Sequence, residues 1–206
     1  EFRRVLFRSA LDNAIDRAAQ AYQSDGRLSG LATGLKDLDA KMGGLQPTDL
    51  IIIAGRPGMG KTSLATNIAF NVASAYDATE QVDGSPRPVA GGIVAFFSLE
   101  MSSEQLATRV LSEQAEVPSS SIRRGDIGET DFGRLLDCRQ KMRRLPLFID
   151  QTGALSIAQV AARARRLKRQ RGLHLIVVDY IQLMQGRSQR ATQNRVQEIT
   201  EITTGS

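Results

Sequence analysis

A glycine-rich run that ends in a lysine and a hydroxyl residue is the part of this sequence best suited to chemistry. Residues 55–62 read Gly-Arg-Pro-Gly-Met-Gly-Lys-Thr and fit the phosphate-loop pattern G-x-x-x-x-G-K-[ST]. In such a loop, backbone N–H groups surround the phosphates of a nucleotide, and the N-terminus of the next helix adds partial positive charge. We expect Lys61 to reach the β- and γ-phosphates and the Thr62 hydroxyl to bind Mg²⁺. The predicted ATP-binding residues are Gly55, Arg56, Pro57, Gly58, Met59, Gly60, Lys61, Thr62 and Ser63.

Asp179 is the first candidate for a carboxylate beside this loop. It follows the apolar run 175–178, which has the composition of a buried strand. Ligands of open parallel sheets bind beyond the carboxyl ends of the strands, so we expect Asp179 to face the phosphate loop and to orient water around Mg²⁺. Apolar strands often end in aspartate without a chemical role, and it is the pairing with the loop that favours a metal-binding role.

Glu100 is the second candidate carboxylate, and it follows the apolar run 93–99. ATP hydrolysis needs a base that orients the attacking water in line with the γ-phosphorus, and a carboxylate at the tip of a strand could do this. The alternative is that Glu100 only begins the next helix, where a negative charge is also favourable. Composition does not separate these two interpretations.

Strands and helices must alternate along the chain to place these groups at one edge of a sheet. Four runs are apolar throughout, which predicts buried strands at Leu50–Ala54, Ile93–Ser98, Leu145–Ile149 and Leu175–Val178. Helical patterns separate them: one follows Lys61, one is opened by Ser102 with Gln105, one covers about 131–144, and one is capped by Ser156 with Gln159 and closed by Gly172. This order predicts an α/β fold with a mostly parallel sheet and helices on both faces.

Three segments lie outside that pattern: residues 1–9, residues 10–29 and residues 77–92. Residues 1–9 continue no pattern of the following chain and are interpreted as a non-native leader. Residues 10–29 form an amphipathic helix in our interpretation, with a stripe of Leu11, Ile15, Ala18 and Tyr22. The remaining residues, 30–206, make the main domain, and within it the polar stretch 77–92 is expected to be a surface loop.

Composition limits the class of protein. The chain has 206 residues, 41% of them hydrophobic, which is enough for one domain with a substantial core. No apolar run approaches the roughly 20 residues that span a bilayer, and the N-terminus has no signal-peptide pattern. One cysteine, Cys138, fits a reducing compartment. We therefore expect a cytoplasmic protein without a membrane partner.

The net charge of +5 is concentrated in two basic clusters, at 139–144 and 163–171. Such clusters could attract the phosphates of a nucleic acid. In the second cluster, however, Ile157, Val160, Ala164 and Leu167 follow helical spacing, which leaves the basic residues on the opposite side. The solvated face of an amphipathic helix is the favoured interpretation, and direct DNA contact is the alternative.

Three motifs together resemble the DnaB family of replicative helicases: the loop at 55–62, Phe-Ser-Leu-Glu-Met-Ser at 97–102, and Asp-Tyr-Ile-Gln-Leu-Met at 179–184. Thr33-Gly34, Leu38-Asp39 and Gly43-Gly44-Leu45 also resemble the opening segment of RecA-like ATPases. The resemblance covers about residues 10–204. It implies a RecA-like P-loop motor that uses ATP and Mg²⁺ to move along single-stranded DNA as a homo-hexameric ring.

The same resemblance assigns roles to individual residues. It implies that Glu100 is the catalytic glutamate and that Gln182 is a possible coupling residue. It also implies that the helix at 10–29 is a linker that docks on a neighbouring subunit, and that 77–92 is an insertion. Primase and a helicase loader would bind through parts outside this chain. In the family, a γ-phosphate sensor, an arginine finger and a central strand follow the motifs found here, so we interpret the chain as a partial motor domain that is inactive alone.

Two other functions stay open from the sequence. A recombination or repair ATPase of the RecA or RadA kind shares the phosphate loop, but the motif at 97–101 and Gln182 favour the helicase. A KaiC-like signalling ATPase would act without nucleic acid. Proteins of that kind usually carry two adjacent glutamates where this chain has Glu100-Met101.

Overall fold

The computed structural model describes residues 11, 12, 14–16, 19, 28–80, 86–181 and 184. The chain divides into two compact units, residues 1–51 and 52–206. In the first unit, the described residues between 11 and 19 are helical, and Leu11 and Ile15 are exposed. Ala18 and Tyr22, the other members of the expected apolar stripe, lie outside the described residues. The described residues between 11 and 19 are therefore helical, as their spacing predicts, whereas Leu28 and Ser29 are not.

The named elements follow one another in a mixed order of helices and strands. The first unit contains helix α1 (Lys36–Met42). The second unit contains α2 (Lys61–Ser74), β1 (Asp77–Glu80), β2 (Pro86–Ala90), β3 (Val94–Ser98), α3 (Ser103–Ala115), α4 (Ser119–Arg124), α5 (Glu129–Met142), β4 (Leu147–Asp150), α6 (Ile157–Arg171) and β5 (Leu175–Asp179). In the described part of the chain no helix is both long enough and apolar enough to cross a membrane.

A buried aspartate organises the described part of the first unit. Asp39 accepts hydrogen bonds from the Thr33 N–H at 2.8 Å, the Thr33 hydroxyl at 2.7 Å and the Gly34 N–H at 3.1 Å. Gly44 has a φ of 84°, and a Cβ atom there would lie 2.7 Å from the carbonyl carbon of Gly30, so no larger residue fits. The residues that resemble the opening segment of RecA-like ATPases thus form a hydrogen-bonded turn.

A three-stranded parallel sheet forms the centre of the second unit, in the order β4-β3-β5. The middle strand, β3, is buried along its whole length. On one face Ala95, Phe97 and Leu99 pack against Val160 of α6. Phe96 lines a cavity together with residues of α2 and α3. The predicted α/β architecture, with a parallel sheet between helices, is confirmed.

Both capped helices begin where the sequence predicts. Ser102 accepts a hydrogen bond from the Gln105 N–H while the Gln105 side chain accepts one from the Ser102 N–H, and α3 begins at the next residue. Ser156 and Gln159 form the same capping box before α6. Each box satisfies two N–H groups that the first turn of a helix leaves unpaired.

The predicted strand Leu50–Ala54 is wrong. Residues 50–56 have no strand assignment, and 65% of Leu50 and 61% of Ile52 are exposed. A strand needs a neighbour to pair its backbone groups, and among the described residues β5 pairs with β3 alone. The outer strands are also less buried than predicted, since Phe148 on β4 is 39% exposed and Ile176 on β5 is 45% exposed.

The expected surface loop at 77–92 contains a hairpin instead. Strands β1 and β2 pair antiparallel, with Ala78 opposite Pro88 and Glu80 opposite Pro86. Proline is tolerated in a two-stranded edge arrangement because its missing N–H can face away from the partner strand. The prolines that favoured a loop therefore lie in a strand.

Candidate nucleotide-binding site

The phosphate loop leads directly into helix α2. Gly58 has a φ of 78° and Gly60 a φ of 81°, both in the left-handed region that glycine adopts without strain. Gly60 is the N-cap of α2, so the next residues, Lys61 and Thr62, stand in its first turn. The unpaired N–H groups of this turn point out of the helix N-terminus, where an anion is stabilised.

Lys61 lies across the loop. Its Nζ atom donates hydrogen bonds to the carbonyl oxygens of Gly55 at 2.9 Å and Arg56 at 3.0 Å. The ammonium group is therefore held at the mouth of the loop. It could exchange these carbonyl oxygens for phosphate oxygens, which carry a full negative charge and form stronger hydrogen bonds.

Asp179 and Thr62 meet at the edge of the sheet. The Thr62 hydroxyl donates a hydrogen bond to Asp179 Oδ1 at 3.2 Å. Asp179 is only 6% exposed, and among the described residues its Oδ2 atom is buried without a hydrogen-bond partner. A buried carboxylate oxygen without a partner is costly, and a divalent cation would compensate it. Hydroxyl and carboxylate oxygens are the ligands that Mg²⁺ prefers, so these two residues fit a Mg²⁺ site.

Glu100 lies in a turn that two hydrogen bonds hold at the same edge. The Leu99 N–H donates to the Asp179 carbonyl oxygen at 2.7 Å, and the Ser98 hydroxyl donates to the Met101 carbonyl oxygen at 2.7 Å. Glu100, between these contacts, is exposed. Helix α3 starts only after the N-cap Ser102, and the acidic residue of its first turn is Glu104. The interpretation of Glu100 as a helix-start residue is therefore not supported.

Two polar contacts near this edge were not expected from the sequence. The Ser103 N–H donates to Gln151 Oε1 at 2.6 Å, which ties the start of α3 to the end of β4. Arg109 Nη1 lies 3.4 Å from the Ser63 hydroxyl, which ties α3 to the first turn of α2. The partners are 48 and 46 positions apart in the chain, and no local pattern links residues at such distances. Only the three-dimensional fold brings them together.

The two remaining candidates from the sequence are Gln182 and the basic cluster at 163–171. Gln182 lies outside the described residues. In the second basic cluster, Val160 and Ala164 are buried and Arg163 forms an ion pair with Asp150, as expected for an amphipathic helix with a solvated basic face. Burial alone would raise the pKa of Asp150, but hydrogen bonds from Arg163 and Thr152 keep that pKa below its ordinary value.

Comparisons with known proteins agree on one family. Residues 30–205 match the family described as DnaB-like helicase C terminal domain. The replicative DNA helicase DnaB of Rickettsia conorii is 45% identical over 186 residues, which are 90% of this chain and 36% of that protein. The replicative DNA helicase DnaC of Bacillus subtilis is 37% identical over 195 residues, 95% of this chain and 40% of that protein. The chain thus spans less than half the length of these relatives.

Two solved structures have a similar fold. One, described as an ATPase domain, has a TM-score of 0.78 at 24% identity and covers 94% of this chain and 64% of that chain. The other, described as a DnaB-like replicative helicase and its interactions with primase, has a TM-score of 0.74 at 23% identity and covers 94% of this chain and 43% of that chain. These likenesses confirm the predicted RecA-like fold.

Proposed function

Because this chain belongs to the DnaB-like helicase C-terminal domain family, we propose that it is the ATP-driven motor part of a replicative DNA helicase. The motor would couple ATP hydrolysis to movement along single-stranded DNA and to unwinding of the duplex during DNA replication. The observation that carries this proposal is the Thr62–Asp179 hydrogen bond beside the phosphate loop, together with the buried Asp179 Oδ2 atom, which has no partner among the residues that the structure describes.

The phosphate loop and α2 would bind the triphosphate of ATP. Lys61 would leave the carbonyl oxygens of Gly55 and Arg56 and donate its hydrogen bonds to β- and γ-phosphate oxygens. The Thr62 hydroxyl and the Asp179 carboxylate would hold Mg²⁺, the second directly or through bound water. When bound there, Mg²⁺ would supply positive charge that offsets the negative charge developing on the phosphate oxygens.

Glu100 would orient the attacking water. The hydrogen bonds of Ser98 and Leu99 place its turn at the carboxyl edge of the sheet, beside Asp179. Its carboxylate would accept a proton as the water oxygen bonds to the γ-phosphorus, while the bond from that phosphorus to the bridging oxygen of ADP breaks. Since Glu100 is exposed on this chain, a neighbouring subunit in a ring could cover it and exclude bulk water.

The partners of this motor follow from the same proposal. It would act as a homo-hexameric ring in the cytoplasm, with single-stranded DNA as its track. One of the similar solved structures is described as a DnaB-like helicase with its interactions with primase. We extend that partner, and a helicase loader, to the full-length protein through parts outside this chain. Gln182 is proposed to couple the site to DNA.

The experiment that tests this function measures ATP turnover and strand separation by a full-length protein that contains this domain. Single-stranded DNA should stimulate turnover, and ATP should drive unwinding of a forked duplex. Lys61→Ala should abolish both activities because it removes the cation aimed at the phosphates, whereas Lys36→Ala, at an exposed position of α1, should change neither. ATP turnover that ignores DNA, without unwinding, would contradict the proposal and favour a signalling ATPase.

A further inference from the structure

Arg109 connects the two elements that carry the proposed catalytic groups. It lies on α3 between the buried residues Leu106 and Val110, and it is itself partly buried. Its guanidinium reaches the first turn of α2, where Nη1 lies 3.4 Å from the Ser63 hydroxyl. That distance is at the long end of the hydrogen-bond range, so the contact is a directional restraint rather than a strong bond.

The charge of Arg109 has no carboxylate partner in the described part of the chain. The ion pairs found there are those of Arg124, Arg134 and Arg163. A partly buried guanidinium has lost some of its hydration, and it normally recovers this loss through an ion pair or hydrogen bonds. An arginine whose stem only covered apolar surface would turn its charged end toward water. Arg109 instead directs its charged end to the residue that follows Thr62.

The position of α3 gives this contact its consequence. The helix begins at Ser103, directly after the turn that holds Glu100, and Ser63 is adjacent to Thr62. The Arg109–Ser63 contact therefore joins α3, the helix that follows the proposed water-orienting carboxylate, to the first turn of α2, which would hold the metal and the phosphates. Movement of either helix would change the distance between Glu100 and the γ-phosphate.

We propose that Arg109 is a positioning residue for ATP hydrolysis, which keeps α3 and the Glu100 turn in register with the first turn of α2. This inference rests on the proposed function. Arg109 does not need to contact ATP in this role, because it acts through Ser63 and the two helices. Loss of the contact should misplace the attacking water while leaving the phosphate loop and its hydrogen bonds intact.

The test uses a full-length protein that contains this domain and the variants Arg109→Ala, Arg109→Lys, Ser63→Ala and the double variant. For Arg109→Ala, kcat should fall about 10- to 100-fold, because small misplacements of reacting groups have effects of this size. The KM for ATP should stay within about threefold of the wild-type value, since ground-state contacts are kept. Arg109→Lys should retain more turnover than Arg109→Ala, because it can still donate to Ser63.

Three further measurements separate positioning from folding. Ser63→Ala keeps the backbone N–H through which Ser63 would bind phosphate and removes only the hydroxyl that contacts Arg109. The double variant should therefore lose no more kcat than Arg109→Ala, because both changes break the same contact. The melting temperature of Arg109→Ala should stay within about 2 °C of the wild-type value. Arg134→Ala, which removes an exposed arginine with an ion pair inside its own helix, is the matched control and should turn over ATP like the wild type.

Distinct results would overturn the two proposals. Additive losses in the double variant, a rise in KM at unchanged kcat, or a fall in melting temperature parallel to the loss of kcat would each reject Arg109 as a positioning residue. A wild-type protein without any ATP turnover would overturn the proposed function, and this inference with it.

Discussion

The Thr62 hydroxyl donates a hydrogen bond to Asp179 across 3.2 Å, although 117 positions separate the two residues in the chain. The contact joins the first turn of α2 to the carboxyl end of β5. It leaves Asp179 Oδ2 buried and, among the described residues, without a partner. One oxygen of this carboxylate is thus held by the Thr62 hydroxyl, and in the proposed function the other would bind a cation beside the phosphate loop.

Asp179→Asn tests the metal-binding role. The amide oxygen can still accept the Thr62 hydrogen bond, but the negative charge is lost. We expect the Mg²⁺ concentration that half-saturates ATP turnover to rise by roughly tenfold or more. Without Mg²⁺ the variant should melt no lower than the wild type, because an unpaired buried charge no longer destabilises it. Asp126→Asn, at an exposed position, is the control.

An unchanged Mg²⁺ dependence in Asp179→Asn would contradict the metal-binding role. The result would mean that Asp179 supports the sheet edge only, through the hydrogen bond that its carbonyl oxygen accepts from Leu99. In that case the variant and the wild type should also respond alike when Mg²⁺ and ATP are added together in a thermal melt.

His174 predicts a pH dependence of stability. Its Nδ1 atom accepts a hydrogen bond from the Ile93 N–H at 3.0 Å, which requires the neutral ring. Burial, together with the positive charge of Lys168, lowers the pKa of His174 below its ordinary value of 6.5. The unfolded chain then binds the proton more readily than the folded one. The neutral His174 ring therefore stabilises the folded state fully above about pH 6.5, and this contribution to stability is lost as the pH falls through the lower folded-state pKa.

The measurement compares thermal melts of a full-length protein that contains this domain, as the wild type and as His174→Gln, between about pH 8 and pH 5. The wild type should lose melting temperature below about pH 6.5, and the variant should lose less over the same range. If the melting temperatures of the two proteins changed equally with pH, His174 would not be the cause of the pH dependence.

The 206-residue chain by itself should be poorly stable and should show no DNA-stimulated ATP turnover. Its run of Leu50, Ile51, Ile52 and Ile53 is exposed and makes no strand pairing, and among the described residues β5 pairs along one edge only. Exposed apolar side chains and unpaired strand edges weaken a fold and promote association. A cooperative melt above about 50 °C, the usual range of mesophilic domains, together with DNA-stimulated turnover would contradict this prediction.

Local signals explain which elements the sequence predicts well. Helices α3 and α6 begin at capping boxes that four residues encode, so Ser102 and Ser156 mark them without help from the fold. Helix α4 (Ser119–Arg124) was not predicted, because six residues are too few for a periodic pattern. The apolar run at 50–54 predicts a strand, but its pairing depends on another part of the chain.

In the candidate site, too, the sequence predicts some features and only the structure shows others. The residues of the phosphate loop follow from their spacing, and the placement of Asp179 beside Thr62 follows from the geometry of parallel sheets. The contacts of Arg109 with Ser63 and of Gln151 with Ser103 depend on how helices pack on the sheet, for which the sequence contains no local pattern. Long-range polar contacts are thus the part of the site that required the structure.

Nucleotide binding and single-turnover hydrolysis by Glu100→Gln and Glu104→Gln show whether this edge of the sheet hydrolyses ATP. Both glutamates are exposed and stand four positions apart, but only Glu100 lies in the turn beside Asp179, while Glu104 lies in the first turn of α3. We expect Glu100→Gln to bind Mg-ATP within about threefold of the wild type and to hydrolyse it about 100-fold more slowly or worse. Glu104→Gln should hydrolyse ATP normally. Hydrolysis by Glu100→Gln within about tenfold of the wild type, or a loss of binding that accounts for its slower hydrolysis, would contradict the assignment of this edge as the ATP-hydrolysing site.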